Sequence, residues 1–310
     1  MISIIICSRS SQISSSLIEN ISQTIGCEYE LIVADNSTNQ YNIFSAYNWG
    51  ISQSKFPYLC LMHDDIEFVT KNWGLKLIDY LSNPKTGFIG VAGGQAVLRV
   101  PSDWTAYNPF CNIIHSNYST NNILTDEKKV LPKVPSTTIQ SVVTLDGVFL
   151  CARRELFNEI KFDKNFDGFH CYDLDITTQA VVSGYKNYFV HDIDIKHFSK
   201  GKFDESYIIS LLRFQNKWKH LLPIFESTIT KDVISKILYN AERNALLRLR
   251  KRMVRTGMPD KEIYFQIKHY TRLTGFWRDK LLLIFLPLDV IFIRLTSILR
   301  KKMIYQIGYK

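Results

Sequence analysis

The chain is 310 residues long, 46% hydrophobic, and carries a formal charge of +9. Its length and apolar content exclude a disordered tail or a miniature stapled fold and point to one large α/β domain with an appendage. The basicity is local: residues 241–310 hold 16 Lys/Arg against 5 Asp/Glu, and residues 1–240 hold 22 against 24.

The chain opens on Ile2–Cys7, a β-branched apolar run that reads as a buried strand and lacks the basic leader of a secretory signal. After the polar Ser8-Arg9-Ser10-Ser11, Ile13, Leu17, Ile18 and Ile21 recur at helical spacing up to Ile25. Glu30–Ala34 is a second strand, stopped by the turn formers Asp35-Asn36-Ser37. A helix from about Tyr41 to Ser54 and a third strand at Tyr58–Met62 follow. Strands alternating with helices of about a dozen residues predict βαβ crossovers and a mostly parallel sheet, in which ligands sit beyond the carboxyl ends of the strands. Ser8-Arg9, Asp35-Asn36 and His63-Asp64-Asp65 occupy those positions.

Further on, a helix over Asn72–Leu81 ends at Asn83-Pro84, and Phe88–Gly94 is an apolar strand closing on two glycines. Residues 101–135 are rich in Asn, Ser and Pro and show no clean period, the mark of a long functional excursion. Val142–Leu150 returns to strand character, Arg153–Ile160 to a short helix, and a helix led by Gly168–Asp175 runs to about Ser183. Lys186–Ile195 alternates as a strand and meets His197-Phe198-Ser199. Beyond Asp204 the pattern is helical, broken at Pro223 and at Gly257-Met258-Pro259. The six cysteines form no C-x-x-C pair, and Cys7, Cys60 and Cys151 fall inside strand-like runs, as reduced buried thiols would.

Acidic residues directly after a buried strand, as in His63-Asp64-Asp65, need a partner or a cation, and Mg²⁺ or Mn²⁺ takes such carboxylates together with substrate phosphates. A solvated turn is the alternative. Asp173 and Asp175 stand at a helix start, where an acid serves as a cap unless the site needs a base; Asp175, one step further in, suits the capping role. His197 offers a neutral ring nitrogen to a metal, and Asp35 either accepts from a base or ribose or caps its own turn. Asp146-Gly147 inside an apolar run marks a close approach, with Asp146 lining a site.

In order along residues 1–222, Ile4–Arg9, Glu30–Ser37, Ala46–Ile51, Met62–Ile66, Asp146–Leu150, Gly168–Asp175 and His197–Ser199 resemble the family-2 glycosyltransferases, and more closely the bacterial branch with His-acid-Asp in place of Asp-x-Asp. The resemblance implies a nucleotide-sugar-binding GT-A fold over 1–222, followed by a helical, basic region over 223–310. It implies an inverting transfer from a nucleotide-diphosphate sugar, expected to be UDP-linked, to a glycan or lipid-linked acceptor in bacterial surface polysaccharide or glycoconjugate synthesis. Asp65, with His63 and His197, would hold Mn²⁺ or Mg²⁺. Asp173 would be the general base, with Tyr172 where the family has a glutamate. Ser8, Arg9, Asp35, Asn48, Asp64 and Asp146 would face the donor. An inactive glycosyltransferase-like scaffold and a nucleotidyltransferase are the rivals; the latter would show a Gly-rich loop after strand one, where Ser8-Arg9-Ser10-Ser11 has none.

The apolar stretch 280–294 holds Pro287 and Asp289 and is shorter than the roughly 20 residues of a spanning helix. Flanked by Arg248, Arg250, Lys251, Arg252 and Arg255 and by Arg300, Lys301 and Lys302, it suits an interfacial helix on an anionic membrane. That places the chain in the cytoplasm, peripheral on the inner face of the plasma membrane. Packing on the catalytic domain or in a homodimer through the C-terminal helices is the alternative. No motif supports a nucleic-acid partner.

Overall fold

The computed structural model describes residues 1–118, 124–128, 138–199, 201 and 203–275. In chain order, β1 (Ile2–Ser8), α1 (Ser15–Thr24), β2 (Tyr29–Asp35), α2 (Ile43–Gln53), β3 (Tyr58–Met62), β4 (Ile66–Phe68), α3 (Trp73–Tyr80) and β5 (Thr86–Gly90) come first. Then follow the short strands β6 (Ala92–Gly94), β7 (Ala96–Val97), β8 (Phe110–Cys111), β9 (Ile113–Tyr118), β10 (Leu124–Lys128), β11 (Ile139–Val142), β12 (Thr144–Leu145) and β13 (Phe149–Arg153). The remainder is α4 (Tyr172–Val182), β14 (Lys186–Val190), β15 (Ile195–His197), α5 (Glu205–Trp218), β16 (Ile224–Phe225), α6 (Lys231–Thr256) and α7 (Asp260–Thr274). By internal contacts they form two units. The first comprises residues 1–97, 103–201 and 224–226, the second 98–102, 202–223 and 227–310.

A seven-stranded sheet, β11-β14-β5-β13-β3-β1-β2, is the frame of the first unit. β1, β2, β3, β5 and β14 run one way, and β13 and β11 oppose them. The mostly parallel sheet expected from the alternation is present, with two antiparallel strands the alternation did not predict. β1 is apolar except at Ser3 and Ser8, because both faces are covered. Ile2, Ile4 and Ile6 share a core cluster with Leu17 and Ile21 of α1 and Trp73 of α3. Ile5, pointing the other way, packs so closely on Gly50 of α2 that a Cβ there would strike it. Both covering helices begin on side-chain caps: Ser14 accepts from the Leu17 N–H and Asn42 from the Ser45 N–H.

Three expected strands are divided. Phe88–Gly94 breaks at Val91, so β5 stays in the large sheet while β6 pairs with β8 and β12. Gly93 and Gly94 permit this, since a Cβ at either would collide with the carbonyl of Thr144 or of Trp104. Val142–Leu150 separates into the end of β11, β12 and β13, and Asp146-Gly147-Val148 is a turn between strands rather than a strand interior. Lys186–Ile195 likewise becomes β14 and the start of β15, and the helix expected over 153–160 is a 3₁₀ turn at Arg154–Asn158. Alternation along the chain cannot tell one long strand from two short ones in different sheets. All six cysteines are free, and Cys60, Cys111, Cys151 and Cys171 are buried.

In the second unit, α6 ends on the left-handed Gly257 and α7 starts after Pro259, matching the break read from the sequence. The fully buried Glu242 of α6 accepts from Arg99 Nε at 2.8 Å and Nη2 at 2.7 Å. Among the described residues no helix is long and apolar enough to cross a membrane. The apolar stretch 280–294 and the basic residues 300–302 lie outside the described residues.

Ile6, buried between α1, α3 and the neighbouring strands, is a direct gauge of this core. Ile6→Ala should lower unfolding free energy by about 2–5 kcal/mol in denaturant titrations; a loss below about 1 kcal/mol would contradict two-sided burial of β1.

Candidate active site at the carboxyl edge of the sheet

The parallel register sets Ser8 opposite Asp35 and Ile6 opposite Met62, so β1, β2 and β3 release their chains along one edge. Because β13 runs against β3 with Phe149 opposite Met62, the turn 146–148 that precedes it reaches the same edge. His63 N–H donates to the Val148 carbonyl at 3.1 Å, and Phe198 N–H to the Asp65 carbonyl at 3.0 Å. The segment 63–65 is thereby held between the 146–148 turn and the end of β15, which carries His197.

His197 Nε2 lies 3.2 Å and His63 Nδ1 3.8 Å from the same oxygen, Asp65 Oδ1. One ligand atom from each of the three residues falls within 4.8 Å of the others. Ligands about 2.1 Å from a common ion stand about 3–4 Å apart, so the two distances to Asp65 Oδ1 are compatible with a shared cation. Two imidazoles and one carboxylate suit a first-row transition ion better than Mg²⁺, which favours oxygen donors. Burial raises the Asp65 carboxyl, but hydrogen bonds from His197 and Ser199 outweigh it and hold the group well below the usual carboxylate range. Burial, then repulsion from His197, lowers His63, which keeps its ring in the neutral ligand form.

Asp173 begins α4 behind Cys171, a non-glycine residue in the left-handed region with φ +62°. Its Oδ2 accepts the Gly147 N–H at 2.9 Å and its Oδ1 the Leu174 N–H at 2.8 Å. Burial, then the charge of Asp146, raises its carboxyl to about 7, and the backbone hydrogen bonds only partly oppose this. A carboxyl titrating near neutrality is suited to proton transfer, as a simple helix cap would not be. Asp175 is buried and accepts from Gln179 Nε2.

The remaining candidates have defined partners. Ser8 donates to Asp64 Oδ2 at 2.5 Å, joining the ends of β1 and β3. Arg9 lies over the Phe169 ring at 5.6 Å. Asp35 Oδ1 accepts the Ser37 N–H, and this holds its carboxyl low. Asn48 is engaged at both ends of its amide by the backbone of Phe162. Asp146 accepts from Trp104 Nε1 at 2.8 Å and from the Val148 N–H at 2.9 Å. Thus His63, Asp65 and His197 are in one cluster, and Asp173 is linked to it through Gly147 and Tyr172. Trp104 was not singled out from sequence, and Gly147, Tyr172 and Ser199 were named there only as neighbours of the acidic and histidine candidates. The glycine within Asp146-Gly147 and the serine of His197-Phe198-Ser199 were the available signals.

The sheet order and a family match place the chain in the GT-A fold class. Over residues 3–199 the sequence matches the glycosyltransferase-like family, and the chain belongs to it. Among solved structures, the chain is similar to GalNAc-T7, crystallised with UDP, GalNAc and Mn²⁺, at 12% identity and a TM-score of 0.45, covering 65% of this chain. It spans 43% of the GalNAc-T7 chain. The protein A197 from STIV is similar at 12% identity and a TM-score of 0.36, over 64% of this chain and 86% of that one. No curated protein matches the sequence.

Asp146→Asn removes the negative neighbour of Asp173, so the Asp173 carboxyl should titrate below 7 in carboxyl-carbon NMR. A titration that stays near 7 would leave burial as the sole cause.

Proposed function

We propose that the chain is an inverting glycosyltransferase that moves a sugar from a nucleoside-diphosphate donor, UDP-linked, to an acceptor hydroxyl on a glycan or lipid-linked glycan, within bacterial surface polysaccharide or glycoconjugate synthesis. The observation that carries this reading is the linkage of the His63–Asp65–His197 cluster to Asp173 through Tyr172 and a single residue, Gly147. It joins a cation site to a base poised near neutrality. We assign catalysis to residues 1–222.

Asp65, His63 and His197 would hold a divalent cation, Mn²⁺ by the donor set. When bound, it neutralises charge growing on the departing diphosphate. Asp173 takes the proton of the acceptor hydroxyl as that oxygen bonds to the anomeric carbon and the bond from that carbon to the diphosphate oxygen breaks. One displacement, with nucleophile and leaving group on opposite faces, inverts the centre. Ser8, Arg9, Asp35, Asp64 and Asp146 lie on the donor side of this arrangement, and Asn48 supports it by fixing the Phe162 segment.

The base role has a definite pH signature. Asp173 acts only as the carboxylate, and its carboxyl is raised to about 7, so kcat/KM should fall as pH drops through about 7. Asp173→Asn should lower kcat by about 10²–10⁴-fold while Mn²⁺-dependent binding of UDP, read by calorimetry, persists. Unchanged turnover would clear Asp173 of the role. No Mn²⁺-dependent nucleotide binding by the unmodified chain would remove the basis of the whole reading.

For residues 223–310 we propose attachment to an anionic membrane surface, on the inner face of the plasma membrane. Arg248, Lys251 and Arg255 are exposed on α6 at three- and four-residue spacing, along one side of the helix. Sedimentation with phosphatidylserine vesicles should be strong at low salt and lost at high salt. Equal binding to neutral vesicles would count against charge as the cause.

A further inference from the structure

Tyr172 is buried, and its hydroxyl hydrogen-bonds with the Tyr47 phenol and meets two further groups that bear on the direction of its proton. One is the Gly147 carbonyl at 3.0 Å, which only accepts. The phenol has one proton and gives it there. The other is His63 Nε2, also at 3.0 Å, so the imidazole must donate to the phenol oxygen. A neutral imidazole with its proton on Nε2 has a bare lone pair on Nδ1, and Nδ1 is the atom facing Asp65 Oδ1.

The arrangement is held from all sides. The Tyr172 ring lies 5.5 Å from that of Tyr47 and 6.4 Å from those of Phe44, Phe162 and Phe169. Gly147 allows the hydroxyl to approach, since a Cβ at that position would occupy the place of the Tyr172 oxygen. Burial, then the neighbouring Tyr47 and Asp173, raises the phenol well above its usual range, so it keeps its proton.

We propose that Tyr172 is a positioning residue of the cation site: through its hydroxyl it fixes His63 in the Nε2-protonated tautomer and turns the Nδ1 lone pair toward Asp65 and His197. Metal-bound histidines are commonly fixed in this way by an acceptor on the other ring nitrogen, and loss of that acceptor typically weakens metal binding about 10- to 100-fold. The inference rests on the proposed cation-dependent reading, and it assigns a task to the residue that stands where the resembled family has a glutamate.

The test uses the full chain labelled with ¹⁵N-histidine. In the metal-free protein, long-range ¹H–¹⁵N spectra should show the His63 ring, assigned by its loss in His63→Ala, with its proton on Nε2. Tyr172→Phe should abolish that single-tautomer signature. In the same variant, Mn²⁺ affinity measured by electron paramagnetic resonance should fall about 10-fold or more. In a His63→Ala background, Tyr172→Phe should change Mn²⁺ affinity by less than about 2-fold, because the residue it acts through is gone. A proton on Nδ1 in the unmodified chain overturns the proposal without any variant having to fold. Unaltered Mn²⁺ affinity in Tyr172→Phe, or an equal loss with and without His63, overturns the positioning role alone. A chain with the expected tautomer that binds no Mn²⁺ overturns the cation reading and the positioning role with it.

Discussion

The site depends on one residue. The Gly147 N–H holds Asp173, and its carbonyl holds Tyr172, which in turn holds His63. Asp173 and His63 are more than a hundred residues apart in sequence, yet both are tied, Asp173 directly and His63 through Tyr172, to Gly147. That residue has to be glycine, because any side chain would take the space of the phenol oxygen. The turn is itself anchored, with Asp146 accepting from both Val148 and Trp104, and Val148 accepting from His63.

The electrostatics follow from the same packing. Asp65, Asp146 and Asp173 are gathered at one sheet edge, and their repulsion is resolved differently at each. Asp65 is held by hydrogen bonds from His197 and Ser199 and stays ionised. Asp146 is committed to an indole and an amide N–H. Asp173 has only amide donors and a negative neighbour, so its carboxyl rises to about 7. Nearby carboxyl groups thereby differ in titration, one held ionised and the other raised toward neutrality.

Much of this was legible in the chain. The β1, β2 and β3 strands and their helices follow directly from apolar periodicity, and the rule that sites lie beyond parallel strand ends points to Ser8, Asp35 and His63–Asp65. What the pattern could not supply were partners across the fold. Nothing local to Asn48 indicates that its amide binds Phe162, nor does anything near Ser8 indicate that it donates to Asp64. Tyr172 reads as one more apolar residue at a helix start, and its importance appears only once Gly147 and His63 converge on its oxygen. The division of Val142–Leu150 was hidden for a related reason, since a run of buried residues looks the same whether it serves one sheet or two.

The path of the backbone between the two units has a practical corollary for anyone dissecting the molecule. Residues 98–102 belong with the C-terminal helices, where Arg99 grips the interior Glu242, whereas residues 224–226 belong with the sheet unit. There, β16 pairs with β7, and Glu226 accepts from Ser141. A fragment stopped at 222 would strip an edge strand from the sheet unit and leave Arg99 facing nothing. The segments of the two units alternate along the polypeptide, so no single cut separates them.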